Sequence, residues 1–308
     1  MSSTTAASRR RWRDLPTAVA MLAPAAVILG LFVIYPLGRA VWMGHQRCNV
    51  SGTTCTTTSW QQYVDVFRST EFQHALGVTV KFVLLTVPIG LALGIGLAVL
   101  ADRAIRGIGF FRTIFSSTVA SSVAVSSLMW LFLLQPSIGV LSNIGWVGRL
   151  FPVVKSPGLL QDQGTALTSV AVSSIWANLG FSFIIVTAGM QSIPRELYES
   201  AYVDGAGGLR RFTNVTLPLL SPTLLFLSVV LVSRAFQAYG EIDLLTSGGP
   251  TRSRSTTTVT YFIYGSSSVI RRQPGLQATS AVLLFGVLLV LSLIQFRGFE
   301  RRVHYGGS

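Results

Sequence analysis

Six long apolar stretches, separated by polar segments, dominate the pattern of hydrophobic and polar positions along the chain. Each has the length of about 20 residues that a helix needs to cross the hydrocarbon core of a bilayer. No stretch holds more than one or two charged residues, and backbone polar groups in lipid need internal partners, so we expect six helices. They run over residues 18–42, 76–101, 114–134, 167–190, 219–239 and 276–296.

Composition agrees with this pattern. Half of the 308 residues are apolar and only 11% are charged, compared with about 25% charged residues in an average soluble domain. We therefore predict an all-α polytopic membrane protein. Its six-helix transmembrane domain covers residues 18–296, with tails at residues 1–17 and 297–308.

The distribution of basic residues predicts the orientation. The formal net charge is +13, and loops that stay in the cytoplasm are enriched in Lys and Arg. The two tails and the connections after the second and fourth stretches hold 13 of the 24 basic residues, so we place both tails in the cytoplasm. Against this trend, the external connection after the fifth stretch carries Arg252, Arg254, Arg271 and Arg272.

The connection after the fourth stretch contains a short amphipathic helix by its sequence. Ser192 is a plausible N-cap, and Pro194 fits the first helical turn. Leu197 and Ala201 are four residues apart and share a face, and Gly205 ends the helical pattern. A short helix at the cytoplasmic face between two spans has a shape suited to docking on a partner.

The residues of this connection resemble a known motif. Glu199-Ser200-Ala201, Asp204-Gly205-Ala206 and Leu217-Pro218 match the EAA…G…LP loop of ABC import permeases. The resemblance implies a type I ABC importer permease fold in the inner (plasma) membrane of a bacterium. It also implies that residues 192–218 form the coupling-helix loop, whose helix sits in a groove of an ATPase subunit. The implied coupling positions are Glu199, Ser200, Ala201, Asp204, Gly205 and Ala206.

Two further segments narrow the resemblance. Residues 243–250, followed by a Thr-rich run, look like the external LT-x-GGP segment of the carbohydrate-uptake permeases. Residues 295–305 look like the end of the glycerol-3-phosphate permease subfamily. That group often has a proline near Thr118 in the third span, and its absence here predicts a softer kink.

The chain lacks the means to bind ATP alone. A P-loop ends in Gly-Lys, whereas Val80 and Val154 precede the two lysines, Lys81 and Lys155. We predict no catalytic residue, no metal site and no cofactor in this chain. The resemblance implies an ATPase dimer that binds ATP and Mg, a second homologous permease, and an external solute-binding (lipo)protein. The sequence lacks the basic-aromatic stripe typical of nucleic-acid binding.

Polar residues within the spans are candidates for the solute pathway, since ionisable residues there mark functional sites. Arg234 or Lys81 could bind a phosphate ester, although each could equally extend to the headgroups. The uncharged candidates Asn178, Gln135 and Gln237 could instead form interhelical hydrogen bonds.

Several solutes and one other transport class fit the sequence. We expect a glycerol-3-phosphate or glycerophosphodiester solute, with neutral mono- or oligosaccharides such as maltose or trehalose as the alternative. An ion-gradient-driven secondary transporter would show acidic or histidine residues well inside a span. We find none there, because Asp102 lies at a cytoplasmic end.

The glycines of the second stretch and the two cysteines lead to predictions about helix packing and disulfide formation. Gly90, Gly94 and Gly96 predict a face for close helix packing in the second span. Cys48 and Cys55 lie in an external connection, where a disulfide is chemically permitted and two free thiols are equally compatible with the sequence.

Overall fold

The computed structural model describes residues 15–48, 55–57, 60–102, 107–137, 139–140, 158–250 and 254–300. Apart from one short hairpin, the described elements are helices, as predicted. The chain divides into two compact units. One comprises residues 1–66 and 272–282, and the other comprises residues 67–271 and 283–308.

The first unit contains the N-terminal helices. Helix α1 (Leu15–Leu29) continues through a π-helical turn (Gly30–Ile34) into α2 (Tyr35–Met43). A buried amide orders the chain that follows. The Gln62 side chain donates to the Gly44 carbonyl and to the Thr279 hydroxyl, at 3.0 Å each. Because a buried amide without partners is costly, this network fixes the start of α3 (Gln61–Arg68) within the unit.

A two-stranded hairpin follows α2. Strands β1 (Gln46–Cys48) and β2 (Cys55–Thr57) pair antiparallel, and their register sets Cys48 directly opposite Cys55. The side chains of both cysteines lie outside the described residues, so the disulfide stays a prediction.

The second unit is built around one helix. Helix α7 (Ala166–Gln191) packs against α4 (Thr70–Ala101), α5 (Ile108–Ser117), α6 (Val123–Leu134), α11 (Ser221–Phe236) and α12 (Gly240–Thr246). Its buried side chains Val170, Phe183 and Val186 lie in the main apolar core. The remaining helices are α8 (Arg195–Val203), α9 (Gly208–Arg211), α10 (Leu217–Leu219), α13 (Val259–Tyr264) and α14 (Pro274–Glu300), the last contributing to both units.

The helices agree with the predicted number of spans. In the described residues, four helices are long and apolar enough to cross a membrane, and two bent pairs bring the number to six. The second span begins earlier than predicted, at Thr70 instead of residue 76. The Ser69 hydroxyl caps it by accepting a 3.3 Å hydrogen bond from the Phe72 amide.

The prediction of a softer kink in the third span is wrong. Helices α5 and α6 meet at 105° across a 3₁₀ turn (Thr118–Ala120), although no proline is present. The hydroxyls of Ser116, Ser117 and Thr118 donate to carbonyls three or four residues earlier, which competes with the helical ladder. The Ser122 hydroxyl then caps α6 by accepting from the Val125 amide.

Small residues bring three neighbours close to α7. A Cβ at Gly94 of α4 would lie 2.7 Å from the Cβ of Ser182. One at Gly180 would lie 2.2 Å from the Thr118 hydroxyl, and one at Gly189 would lie 2.8 Å from Leu220. The predicted small-residue face is therefore used at Gly94. At Gly96 the prediction fails, because that residue is exposed and a Cβ there would meet nothing within 4 Å.

This packing predicts different costs at two glycines of α4. Gly94→Val should destabilise the protein by ~1–3 kcal/mol, because the added methyl groups overlap Ser182 and the helices must separate. Gly96→Val introduces the same side chain into open space and is the matched control. Thermal unfolding of the purified protein measures both, and equal melting temperatures would contradict the close α4–α7 contact.

Candidate functional site

A cavity of about 160 Å³ lies beside the first half of α7, the half farther from the residue 192–218 loop. The third-span break, α7, the last turn of α11 and the first turn of α12 form its walls. Its lining is mostly small and polar. The lining residues are Val119, Ser121, Val123, Ser126, Ser127, Ser173, Ser174, Ala177, Asn178, Phe181, Arg234 and Glu241.

Two contacts with α7 hold the Arg234 side chain. Its Nη1 donates to Oδ1 of Asn178 at 2.9 Å, and its guanidinium carbon lies 4.3 Å from the Phe181 ring centroid. The Asn178 Nδ2 donates to the Ser174 carbonyl at 2.9 Å, which turns Oδ1 toward Arg234. A cation on an aromatic face is stabilised by the ring quadrupole. The guanidinium is thus oriented while other N–H groups remain available to a ligand.

The cavity also contains a carboxyl group. Glu241 lies in the first turn of α12, beyond the fifth candidate span, and accepts a 3.3 Å hydrogen bond from the Ser174 hydroxyl. Burial raises the pKa of the Glu241 carboxyl, and hydrogen bonds from its own backbone amide and Ser174 oppose that rise. Within the described residues, Glu241 and Arg234 form no ion pair with each other.

A buried hydroxyl completes the polar lining. Ser126 is only 2% exposed, and its Oγ has no hydrogen-bond partner among the described residues. A buried polar atom without a partner costs about 1–3 kcal/mol. The Ser126 residue lines the cavity, and its Oγ is itself buried.

Buried threonines fix the corner between α11 and α12. The Thr260 hydroxyl donates to the Phe236 carbonyl at 2.6 Å, and the Thr258 hydroxyl donates to the Ala238 carbonyl at 3.1 Å. These bonds satisfy carbonyls that the end of α11 leaves free. The Thr-rich run noted in the sequence therefore helps to hold Glu241 at the cavity.

The cavity includes only part of the predicted pathway set. Arg234 and Asn178 lie in it and contact each other. Gln237 is exposed at the C-terminal end of α11, Gln135 ends α6, and Lys81 is exposed on α4. None of these three lines the cavity.

Sequence reasoning missed Glu241, Ser126 and Ser174. Glu241 follows the predicted end of the fifth span at residue 239, so it counted as part of an external connection. The two serines belong to Ser-rich helices whose sequence does not distinguish a cavity wall from a lipid-facing side. One signal was available: Glu241 is two residues before Asp243, where the LT-x-GGP resemblance begins.

The predicted coupling segment forms a separate exposed surface. Helix α8 carries Glu199, Ser200 and Ala201, and the backbone at Gly205 has φ +72°, in the left-handed region that favours glycine. Ser192 does not cap α8 as predicted. It ends α7 instead, and its hydroxyl donates to the Gly189 carbonyl.

Large apolar side chains protrude around this segment. Tyr202, Val203 and Leu209 are 71–85% exposed. The guanidinium carbon of Arg211 lies 5.7 Å from the Tyr202 ring centroid. An exposed apolar cluster of this kind is typical of a protein-binding surface.

One hydrogen bond links α8 to the fifth span. The hydroxyls of Tyr198 and Thr216 are 3.1 Å apart, and Thr216 is buried in the π-helical segment Phe212–Thr216 that precedes α10. Because α11 follows directly and carries Arg234 near its far end, the exposed segment and the cavity are connected through one continuous stretch of chain.

Residues 87–305 match the family described as binding-protein-dependent transport system inner membrane component. The sn-glycerol-3-phosphate transport system permease protein UgpA of Agrobacterium fabrum is 33% identical, covering 93% of this chain and 95% of the relative. The protein of the same name from Salmonella typhimurium is 34% identical, covering 99% and 100%.

The fold also matches a solved structure. It is a bacterial ABC transporter involved in the import of the acidic polysaccharide alginate, with a TM-score of 0.78 and 23% identity. The match covers 95% of this chain and 99% of that chain, and it confirms the predicted permease fold.

The contact between Ser174 and Glu241 predicts a titration shift. Ser174→Ala should raise the pKa of Glu241 further, because it removes a hydrogen bond that stabilises the carboxylate. Infrared spectroscopy of the carboxyl stretch during a pH titration of purified protein measures this. Ser173→Ala removes an adjacent hydroxyl of the same cavity and is the control. A downward shift, or none, would show that Ser174 does not stabilise the carboxylate.

Proposed function

Because this chain belongs to the family of inner membrane components of binding-protein-dependent transport systems, we propose that it conducts glycerol-3-phosphate or a glycerophosphodiester. The chain is the permease subunit of an ABC importer and a multi-pass protein of the inner membrane. As a transport component it is not an enzyme.

The observation that carries the solute proposal is the Arg234 side chain in the cavity. A guanidinium presents paired donors that match two phosphate oxygens. Asn178 and Phe181 already orient this group, which reduces the entropy lost on binding. The names of the two relatives, which refer to sn-glycerol-3-phosphate transport, support the same class of solute.

A neutral sugar is the second candidate. The cavity offers the hydroxyls of Ser126, Ser127 and Ser173 beside the Phe181 ring. Hydroxyls and an aromatic face can bind a polyol or a sugar ring without any charge. In that case Arg234 would serve mainly to hold Asn178.

The other half of the transporter lies in partner chains. In this proposal a second homologous permease completes the pathway, and an external solute-binding (lipo)protein delivers the solute. An ATPase dimer binds ATP and Mg, since this chain has no P-loop. Both termini lie in the cytoplasm, as the basic tails and short connections favour.

The coupling proposal assigns α8 and the residues after it to the ATPase. Closure of the ATPase dimer on ATP displaces α8, whose exposed Tyr202 and Val203 seat in a groove of that partner. The Tyr198–Thr216 hydrogen bond passes this displacement to the fifth span and thus to Arg234. Such a cycle needs two packings of the spans that nucleotide biases in turn.

The solute proposal is tested by ATPase stimulation. The complex is reconstituted in liposomes with its partner subunits and loaded binding protein, and glycerol-3-phosphate and glycerophosphocholine are compared with maltose and trehalose. Arg234→Ala should lower stimulation by the phosphate compounds at least about tenfold, which corresponds to one lost charged hydrogen bond. Lys81→Ala removes a cation outside the cavity and is the control. Stimulation by the neutral sugars alone would contradict the phosphate assignment and leave the importer assignment intact.

The coupling proposal predicts a difference between two glycines. Gly205→Ala forces a side chain into φ +72°, at a cost of about 1–2 kcal/mol. It should reduce uptake while ATP hydrolysis continues. Glu199→Ala should act in the same direction by removing a charge from the docking surface. Gly207→Ala is the control, because Gly207 has φ −66° and open space around it. Unchanged uptake in both Gly205→Ala and Glu199→Ala would refute the coupling assignment.

A further inference from the structure

We infer that Glu241 determines the solute specificity of the cavity. Its charge makes the cavity select singly charged phosphate diesters that bear a hydrogen-bond donor over doubly charged phosphate monoesters. The inference rests on the proposed function, because it takes the cavity around Arg234 to be the solute site. It concerns the opposite pole of that cavity, where a carboxyl group faces the same space.

One face of α7 holds the two charged groups. Ser174 and Asn178 are four residues apart and therefore lie one above the other on the helix. The Ser174 hydroxyl donates to the Glu241 carboxylate, and the side-chain oxygen Oδ1 of Asn178 accepts from Arg234. Each charged group is thus held by a neutral partner, and in the described structure they are not paired with each other.

This arrangement leaves room for a ligand between opposite poles. A direct ion pair would satisfy both groups and close the cavity, whereas neutral partners leave each of them with unused hydrogen-bonding capacity. Arg234 retains donors and the Glu241 carboxylate retains acceptor sites. Both residues line the cavity of about 160 Å³.

The net charge in the cavity predicts which phosphate compounds bind more tightly. The hydrogen bond from Ser174 favours the ionised form of Glu241, and in that form the charges of Arg234 and Glu241 sum to zero. A phosphate monoester carries about −1.5 to −2 at neutral pH, so its binding leaves nearly two negative charges without a counterion. A diester carries a single negative charge, and an ammonium group on the same molecule cancels it. Because uncompensated charge is costly away from water, the monoester binds least well.

The end of the solute that faces Glu241 must carry a hydrogen-bond donor. An ionised carboxylate only accepts hydrogen bonds, so the group facing Glu241 has to be a hydroxyl or an ammonium. A phosphate diester bearing a glycerol or an amino alcohol presents such donors on the side away from the phosphate.

The test is equilibrium binding to the purified permease–ATPase complex in nanodiscs, without the external binding protein, since that protein makes its own selection. Radiolabelled sn-glycerol-3-phosphate, glycerophosphoglycerol and glycerophosphoethanolamine are the probes. Wild type should bind both diesters at least about tenfold more tightly than the monoester. The two diesters distinguish a hydroxyl from an ammonium as the group that faces Glu241.

Glu241→Gln keeps the size of the side chain and removes its charge. It should tighten binding of the monoester about tenfold. Glycerophosphoglycerol gains charge compensation too but loses the carboxylate that accepts from its hydroxyl, so its affinity should stay within about threefold. Glycerophosphoethanolamine should bind more weakly to this variant if its ammonium group faces Glu241. The control is Glu71→Gln, which removes the same charge from an exposed position in the first turn of α4. Melting temperatures of both variants show whether the fold is preserved.

The outcomes separate this inference from the proposed function. If wild type binds monoester and diesters equally, or if Glu241→Gln shifts all three probes by the same factor, the specificity role is refuted while the phosphate site stands. If wild type binds none of the probes, and Arg234→Ala changes nothing, the solute proposal itself is refuted and this inference is refuted with it.

Discussion

The close approach of α7 to its neighbours is the constraint on which the second unit depends. At Gly180, Gly189 and the Ser182–Gly94 contact, atoms of a neighbouring element lie where the Cβ of a larger residue would have to sit. In lipid no hydrophobic effect drives helices together, so such contacts supply much of the packing. Because three neighbours meet one helix at short range, their positions are determined together, and the cavity beside α7 is a result of that geometry.

Helix α7 contributes both to helix packing and to the polar lining of the cavity. The half of α7 nearer Gln191 packs at Ser182 and Gly189, while the other half presents Ser174 and Asn178 to charged groups. Burying the Glu241 carboxylate is costly unless it is hydrogen-bonded, and Ser174 meets that need, whereas Asn178 orients the exposed Arg234 side chain. A single rigid helix therefore positions both Arg234 and Glu241, although these belong to different elements.

Periodicity and length predict much of this structure, since bilayer thickness and backbone hydrogen bonding constrain a span strongly. The six spans and the exposed helix at Glu199 follow from the sequence alone. The cavity can be predicted from the sequence only in part. Arg234 and Asn178 are polar residues in apolar runs and are therefore visible, whereas Glu241 reaches the cavity because Thr258 and Thr260 hold the corner before α12. Contacts between residues some 20 positions apart leave no periodic signal.

The third-span break has a consequence for how the cavity wall behaves. A proline would remove one backbone donor permanently, but the break at Ser121 and Ser122 keeps every N–H group and is stabilised by serine and threonine hydroxyls. The straight helix is therefore covalently allowed, and only the surrounding packing selects the bent one. The wall that Val119, Ser121 and Val123 give to the cavity therefore depends on the packing around the break and on the Ser122 cap, and not on a missing backbone donor.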